Sequence, residues 1–248
     1  MLPSRLFSLR IRGLGSRYLC SSNMANLKGS ALLILAEGAE EMEAVITADV
    51  LRRGKTTRPL KFVPFVRPLG QCSCQEFVEF ALMFSTDTRT IHVKTVIGGL
   101  TGADSVVCSR SVVIKPDMSL EDAVKQGPFD AVILPGGLGG SNNLAKSSKV
   151  KEILQDQEQS GRIIGAICAA PTVLHAHGIG KGKTVTSHPS VKDKLDGYSY
   201  SEDRVVRDGN LVTSRGPGTA FEFGIELVRA VRGDDGVAEK LAGPMLIK

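Results

Sequence analysis

One cysteine stands where a thiol can become a nucleophile. Arg162-Ile163-Ile164-Gly165-Ala166-Ile167 reads as a β run that stops at Cys168. Ala169 and Ala170 follow, and then Pro171, a residue suited to the first turn of a helix. Cys168 is therefore predicted at a strand-to-helix turn, a geometry akin to a nucleophile elbow. A helix N-terminus offers unpaired N–H groups and partial positive charge, and both favour thiolate over thiol. A thiol with an ordinary pKa of about 8.5 is only slightly ionised at pH 7, whereas one lowered to about 5.5 is almost fully ionised. The competing reading is a buried, inert cysteine; the position at the turn argues for reactivity.

Three further segments follow strand-like runs and could surround that thiol. Leu134-Pro135-Gly136-Gly137-Leu138-Gly139-Gly140 lets backbone amides face a ligand, as in an anion nest or oxyanion hole. It is not a Walker loop, because no Gly-Lys-Ser/Thr follows. Glu37-Gly38-Ala39-Glu40-Glu41-Met42-Glu43 could supply a carboxyl whose pKa burial raises, so that it donates a hydrogen bond to a thiolate. Solvated acids at a helix start are the alternative. Arg215-Gly216-Pro217-Gly218 is a tight turn that could wall the same pocket. His188 follows the run Lys183 to Ser187 and could approach it, while His175 and His177 read as packing or surface residues on the helix after Cys168.

The elements that must position these residues alternate in type. Strand-like runs are expected at 31–36, 93–97, 130–134, 162–167, 184–186 and 211–213, with a hairpin or two short strands over 106–114. Helical patterns cover 40–53 (stopped by Gly54), 119–125 (capped by Ser119), 144–159, a stretch after Cys168, 219–231 and a short C-terminal segment. This order implies βαβ units, a mainly parallel sheet covered by helices on both faces, and chemistry at the carboxyl ends of the strands. Residues 55–90 break the rhythm with Pro59, Pro64, Pro68 and an apolar patch around Phe80. A surface insertion and a retained non-coding segment both fit, and poor order is expected there.

Composition excludes several classes. The net charge of +5 could suggest nucleic acid, but Arg5, Arg10, Arg12, Arg17 and Lys28 all lie in the first thirty residues, which hold no acid. The remaining 26 basic residues balance 26 acidic ones, so dedicated nucleic-acid binding is not expected. The leader over 1–30 has the composition of a mitochondrial presequence, and an over-extended translation start fits too. Met24 offers a second start, so a mitochondrial long form and a cytoplasmic, and also nuclear, short form are expected. No apolar run reaches membrane-spanning length. The five cysteines are odd in number and irregular in spacing, which argues for a reduced compartment. Cys72-Ser73-Cys74 lacks a second ligand pair or a nearby His, so no metal site is expected there.

Taken together, Glu37 to Glu43, Leu134 to Gly137, Ala166 to Pro171 and Ser214 to Thr219 resemble the signature segments of the DJ/PfpI family. The resemblance runs from about Ala31 to Lys248, without the insertion at 55–90. It implies a single flavodoxin-like α/β sandwich and a homodimer. Cys168 matches the family's oxidation-sensitive nucleophile, and Glu43 the protonated acid bonded to it. The amides of Gly137 and Ala169 match oxyanion donors beside Gly136, and His188 matches a pocket histidine. The implied activity is cysteine-dependent and cofactor-independent: a deglycase or glyoxalase acting on methylglyoxal, glyoxal or early glycation adducts. The alternative is a redox-sensing chaperone working through oxidation of Cys168. Ala169 stands where protease-like members place a histidine, and His188-Pro189-Ser190 does not supply the His-x-Glu of glutamine amidotransferases. A Cys-His protease is therefore disfavoured. Lys115 stands where near relatives often carry another cysteine.

Overall fold

Runs that are apolar on both sides must be buried on both faces, and these runs build the central layer. In the computed structural model, which describes residues 29–54, 56–58, 89–91, 93–233 and 236–247, seven strands form one sheet. In chain order they are β1 (Ser30–Leu35), β4 (Lys94–Gly99), β7 (Met118–Ser119), β8 (Ala131–Leu134), β9 (Ile163–Ile167), β12 (Val205–Asp208) and β13 (Leu211–Ser214). Their spatial order is β12-β13-β9-β8-β1-β4-β7. Every neighbouring pair is parallel except β12 with β13. The basic leader, most of the 55–90 segment, Cys20 and the Cys72–Cys74 pair lie outside the described residues.

Helices cover both faces. On one side α1 (Glu41–Arg53) and α6 (Ala220–Arg232) pack on Ala31, Leu33 and Leu35. On the other, α2 (Leu120–Val124), α3 (Leu138–Lys146), α4 (Ser148–Gln159) and α5 (Pro171–His177) meet Leu32 and Ile34. The period-2 alternation of a strand thus divides β1 between two cores. This is the expected flavodoxin-like sandwich. Short pairs lie outside the main sheet: β2 (Thr56–Arg58) with β3 (Arg89–Ile91), β5 (Val106–Val107) with β6 (Val113–Ile114), and β10 (Thr184–Val185) with β11 (Ser199–Tyr200). The hairpin expected over 106–114 is present, and β2 with β3 forms an antiparallel ribbon at the two ends of the 55–90 segment.

The structure departs from these expectations in several places. The helix read over 144–159 is two helices, broken at Ser147, whose extended backbone caps the second and whose Oγ accepts the Val150 N–H at 3.3 Å. Apolar periodicity through Leu144, Val150 and Leu154 hid the break. The first of these helices starts inside the glycine-rich loop, where tertiary packing overrides glycine's weak helix propensity. The short strand expected at 184–186 is present and pairs with β11 outside the main sheet, and the antiparallel edge strand β12 was not anticipated. The short C-terminal helix is a single 3-10 turn at Ala238–Lys240.

The order reverses at β1: the chain next adds β4 on one side and later β8 on the other. That reversal opens a crevice at the carboxyl ends of β1 and β8, the usual place for a ligand in such sheets. At the opposite end, Asp130 Oδ2 accepts from Gly29 N, Ser30 N and Ser30 Oγ at 3.0, 3.0 and 2.8 Å, clamping β1 to β8. Asp130→Ala should lower unfolding free energy by about 2 kcal/mol. Urea denaturation measures it, and a loss below about 0.5 kcal/mol would show the clamp to be idle.

Candidate active site

Cys168 sits between the last residue of β9 and the helix that opens at Pro171. Its φ is +64°, a left-handed conformation that is costly for a residue with a Cβ. Two backbone bonds hold it there: Cys168 N–H donates to Ser214 O at 2.9 Å, and Cys168 C=O accepts from His188 N–H at 2.9 Å. The turn is therefore fixed from the ends of two other segments, and the expected elbow is present.

Glu43 reaches the thiol from the first turn of α1. Glu40 caps that helix, its Oε2 accepting the Glu43 N–H at 2.8 Å. Glu43 is 0% exposed. Its Oε2 accepts from Gly136 N–H at 2.8 Å, and the carboxyl also bonds the Cys168 side chain. The backbone passes very close here. A Cβ on Gly136 would lie 2.6 Å from Cys168 Cβ and 2.7 Å from Glu43 Oε2, so only glycine fits. Gly137 has φ +83°, and a Cβ there would meet Gly38 O at 2.4 Å.

Burial pushes the Glu43 carboxyl up from 4.5 to about 7, opposed by its bonds to Cys168 and Gly136 and reinforced by nearby Glu40. Burial also pushes the Cys168 thiol up, to about 12, together with the charge and hydrogen bond of Glu43. The amides of Gly137 and Ala169 pull the other way. Desolvation and the neighbouring acid thus oppose the lowering expected from a helix N-terminus, which the two amides favour. The two groups share one exchangeable charge and titrate as a pair. The first proton leaves near neutrality. Whether it comes from oxygen or sulfur is a matter of proton transfer within the pair, and the two amides solvate the charge once it is on sulfur.

A cavity of about 620 Å³ opens over this pair. Cys168, Ala169, Gly137, His188 and Pro217 line it, as expected. Gly136 stands behind the wall and works through Glu43. Arg215 does not reach the cavity lining; its guanidinium donates to Glu202 O at 2.9 Å, and Pro217 forms that part of the wall instead. His188 is present but not poised as a base. Its Nδ1 accepts from Ser190 N–H at 3.2 Å and lies 2.7 Å from Ser190 Oγ, which leaves Nε2 to carry the proton as a donor. His177 is a packing residue, with Nε2 3.2 Å from Leu144 O, and His175 is exposed.

Sequence reasoning missed Cys108, Ser109 and Arg110, which also line the cavity. They sit in the β5–β6 loop, which is stitched to the segment after β1. Gly38 N–H donates to Val107 O, Ser109 N–H to Ala39 O, and Ser109 Oγ to Glu41 Oε2, at 2.9, 2.8 and 2.9 Å. Nothing in the local pattern of the hairpin announced that docking. Cys108 is buried, and burial with Glu41, Glu37 and Glu40 nearby pushes its thiol up to about 11. Among the described residues no group of three His, Cys, Asp or Glu side chains could hold a metal ion.

The raised Glu43 carboxyl makes stability depend on pH. Its folded pKa lies above the unfolded value, so its contribution is complete below about 4.5 and is lost as pH rises through about 7. The loss from this group amounts to about 3 kcal/mol. Glu43→Gln stays neutral, so its urea midpoint should fall less than that of the parent protein between pH 5 and pH 8. Identical pH dependence in the two proteins would refute the assignment.

Comparison with known proteins agrees with this fold. The DJ-1/PfpI family model matches residues 29–230. The chain is 46% identical over 221 residues to Parkinson disease protein 7 homolog of Danio rerio, covering 88% of this chain and 97% of that one. It is 37% identical over 214 residues to glutathione-independent glyoxalase DJR-1.2 of Caenorhabditis elegans, covering 86% and 93%. The crystal structure of Drosophila melanogaster DJ-1beta superposes with a TM-score of 0.71 at 43% identity, covering 89% and 99%. With the fold, the turn at Cys168 and these similarities in agreement, the chain belongs to the DJ-1/PfpI family.

Proposed function

We propose that the chain is a cysteine-dependent, cofactor-independent enzyme that converts reactive dicarbonyls, methylglyoxal and glyoxal, to hydroxy acids, or hydrolyses their early glycation adducts. The observation that carries this reading is the Glu43–Cys168 pair beneath a cavity, with the Gly137 and Ala169 amides aimed at the sulfur. The name of the nematode relative supports the same class of chemistry.

The residues divide the work as follows. Glu43 takes the thiol proton as Cys168 Sγ attacks the aldehyde carbon and returns it to the oxygen formed, giving a hemithioacetal and a free Glu43 carboxylate. The Gly137 and Ala169 amides, which solvate the sulfur before attack, lie close enough to stabilise oxyanion character as it develops. Nε2–H of His188 polarises the second carbonyl. Glu43 then moves a proton from the first carbon to the second while the hydroxyl proton of the first carbon passes to the second oxygen, which makes a thioester and reduces the ketone to an alcohol. One water cleaves the thioester and restores the thiol. The net change is addition of one water to methylglyoxal, giving lactate, with oxidation and reduction internal to the substrate. A homodimer belongs to the same proposal: Met42 and Val45 expose apolar side chains on α1 that a second copy could cover.

Turnover of methylglyoxal to lactate should be measured without glutathione or Tris, which react with dicarbonyls. The protein should turn over with a rate that rises through about pH 7, and Cys168→Ala should lose it by at least about a hundredfold. Equal rates in the two proteins would sink the enzyme reading.

A redox-sensing role draws on one further contrast. Cys168 is partly exposed, whereas Cys108 is buried. Mild peroxide should therefore add two oxygens at Cys168 and leave Cys108 reduced. Peptide mass mapping reads this, and oxidation of both thiols at equal rates would count against it.

A further inference from the structure

The buried stripe of α1 holds two oxygens without a hydrogen-bond partner. Glu43, Thr47, Val50 and Leu51 stand at i, i+4, i+7 and i+8, and each is 0% exposed. Glu43 Oε2 is satisfied by Gly136, but Glu43 Oε1 is buried without a hydrogen-bond partner. Thr47 Oγ1, one turn further along, is buried without a partner as well. A mid-helix threonine often bonds the carbonyl four residues back; this one does not.

Two such orphans on adjacent turns of one face are costly unless something joins them. Neighbouring turns place Cβ atoms about 5–6 Å apart, a separation that one water can bridge. Their surroundings leave little else. The groups acting on Glu43 are the Cys168 thiol from the β9 turn, the Gly136 amide from the end of β8, and the Glu40 carboxylate from the start of its own helix. None of these is a cation. A neutral donor at Oε1 is the remaining way to ease ionisation of the carboxyl.

We propose that Thr47 is a positioning residue, its hydroxyl holding the Oε1 side of Glu43 through one shared buried water and thereby setting the proton affinity of the Glu43–Cys168 pair. The inference rests on the reading that this pair supplies the nucleophile, and it makes a residue outside the cavity a determinant of the pH at which the site becomes active.

The test is the pH dependence of Cys168 alkylation by iodoacetamide, followed by mass in the full chain. Thr47→Val keeps the shape and removes the donor, and it should raise the midpoint by about one pH unit. Thr47→Ala should shift it the same way and carries the test if the valine variant does not fold. Thr47→Ser retains a hydroxyl and should stay at the wild-type midpoint. A wild-type midpoint in the folded valine or alanine variant overturns the proposal, and so does a serine variant shifted as far as valine. Alkylation needs no turnover, so a failure to convert methylglyoxal would sink the enzyme reading and leave this result standing on its own.

Discussion

The Gly136 amide is the contact on which the site depends, because it meets the acid and the thiol at one point. Its N–H fixes Glu43 Oε2 at 2.8 Å, and its missing side chain lets Cys168 close over the same spot. The result is a carboxyl and a thiol, both desolvated, sharing one charge that neither holds cheaply alone. Desolvation raises the pKa of each, and the amides of Gly137 and Ala169 lower the cost of moving that charge onto sulfur. The chemistry follows from this balance more than from any single residue.

The fold makes the balance possible by bringing rigid ends together. The reversal of strand order beside β1 brings the loop after β1 and the loop after β8 to one crevice, and β9 delivers the cysteine next to them. A backbone bond then crosses between loops, from Glu40 N–H to Gly136 O at 3.0 Å. Glycine is required on both sides of this approach, since Cβ atoms at Gly38 or Gly140 would press on the opposite backbone at 3.0 and 2.8 Å. Charge plays a smaller part. The ion pairs among the described residues involve largely solvent-exposed partners, for which small net contributions are the rule.

Most of this was legible in the sequence where local pattern and tertiary role coincide. Apolar runs such as Ala31 to Leu35 read as buried strands because burial on both faces leaves no polar residue to confuse the period. Cys168 was legible because strand, small residues and Pro171 occur in the order that an elbow needs. What could not be read depended on long-range contact. Arg215 and Pro217 are two residues apart, yet only Pro217 lines the cavity, and the direction of the guanidinium is set by Glu202, which the sequence does not place. Cys108 and Arg110 join the site only because the β5–β6 loop bonds the chain after β1. The desolvation that opposes the helix end at Cys168 was missed for the same reason: a helix end is a local feature, whereas burial is a property of the whole fold.

The backbone bond from Cys168 to Ser214 has a consequence for the order of events in synthesis. Ser214 ends β13, and the turn after it is braced by Thr219, whose Oγ1 accepts from Arg215 and Gly216 N–H at 3.2 and 3.1 Å. A nascent chain that has released Cys168 from the ribosome still lacks the segment that forces its φ to +64°. Until some fifty further residues emerge and dock, Cys168 is an ordinary flexible thiol. The backbone geometry at Cys168 is thus among the last things the chain acquires, and a chain stalled before β13 carries the thiol without its surroundings.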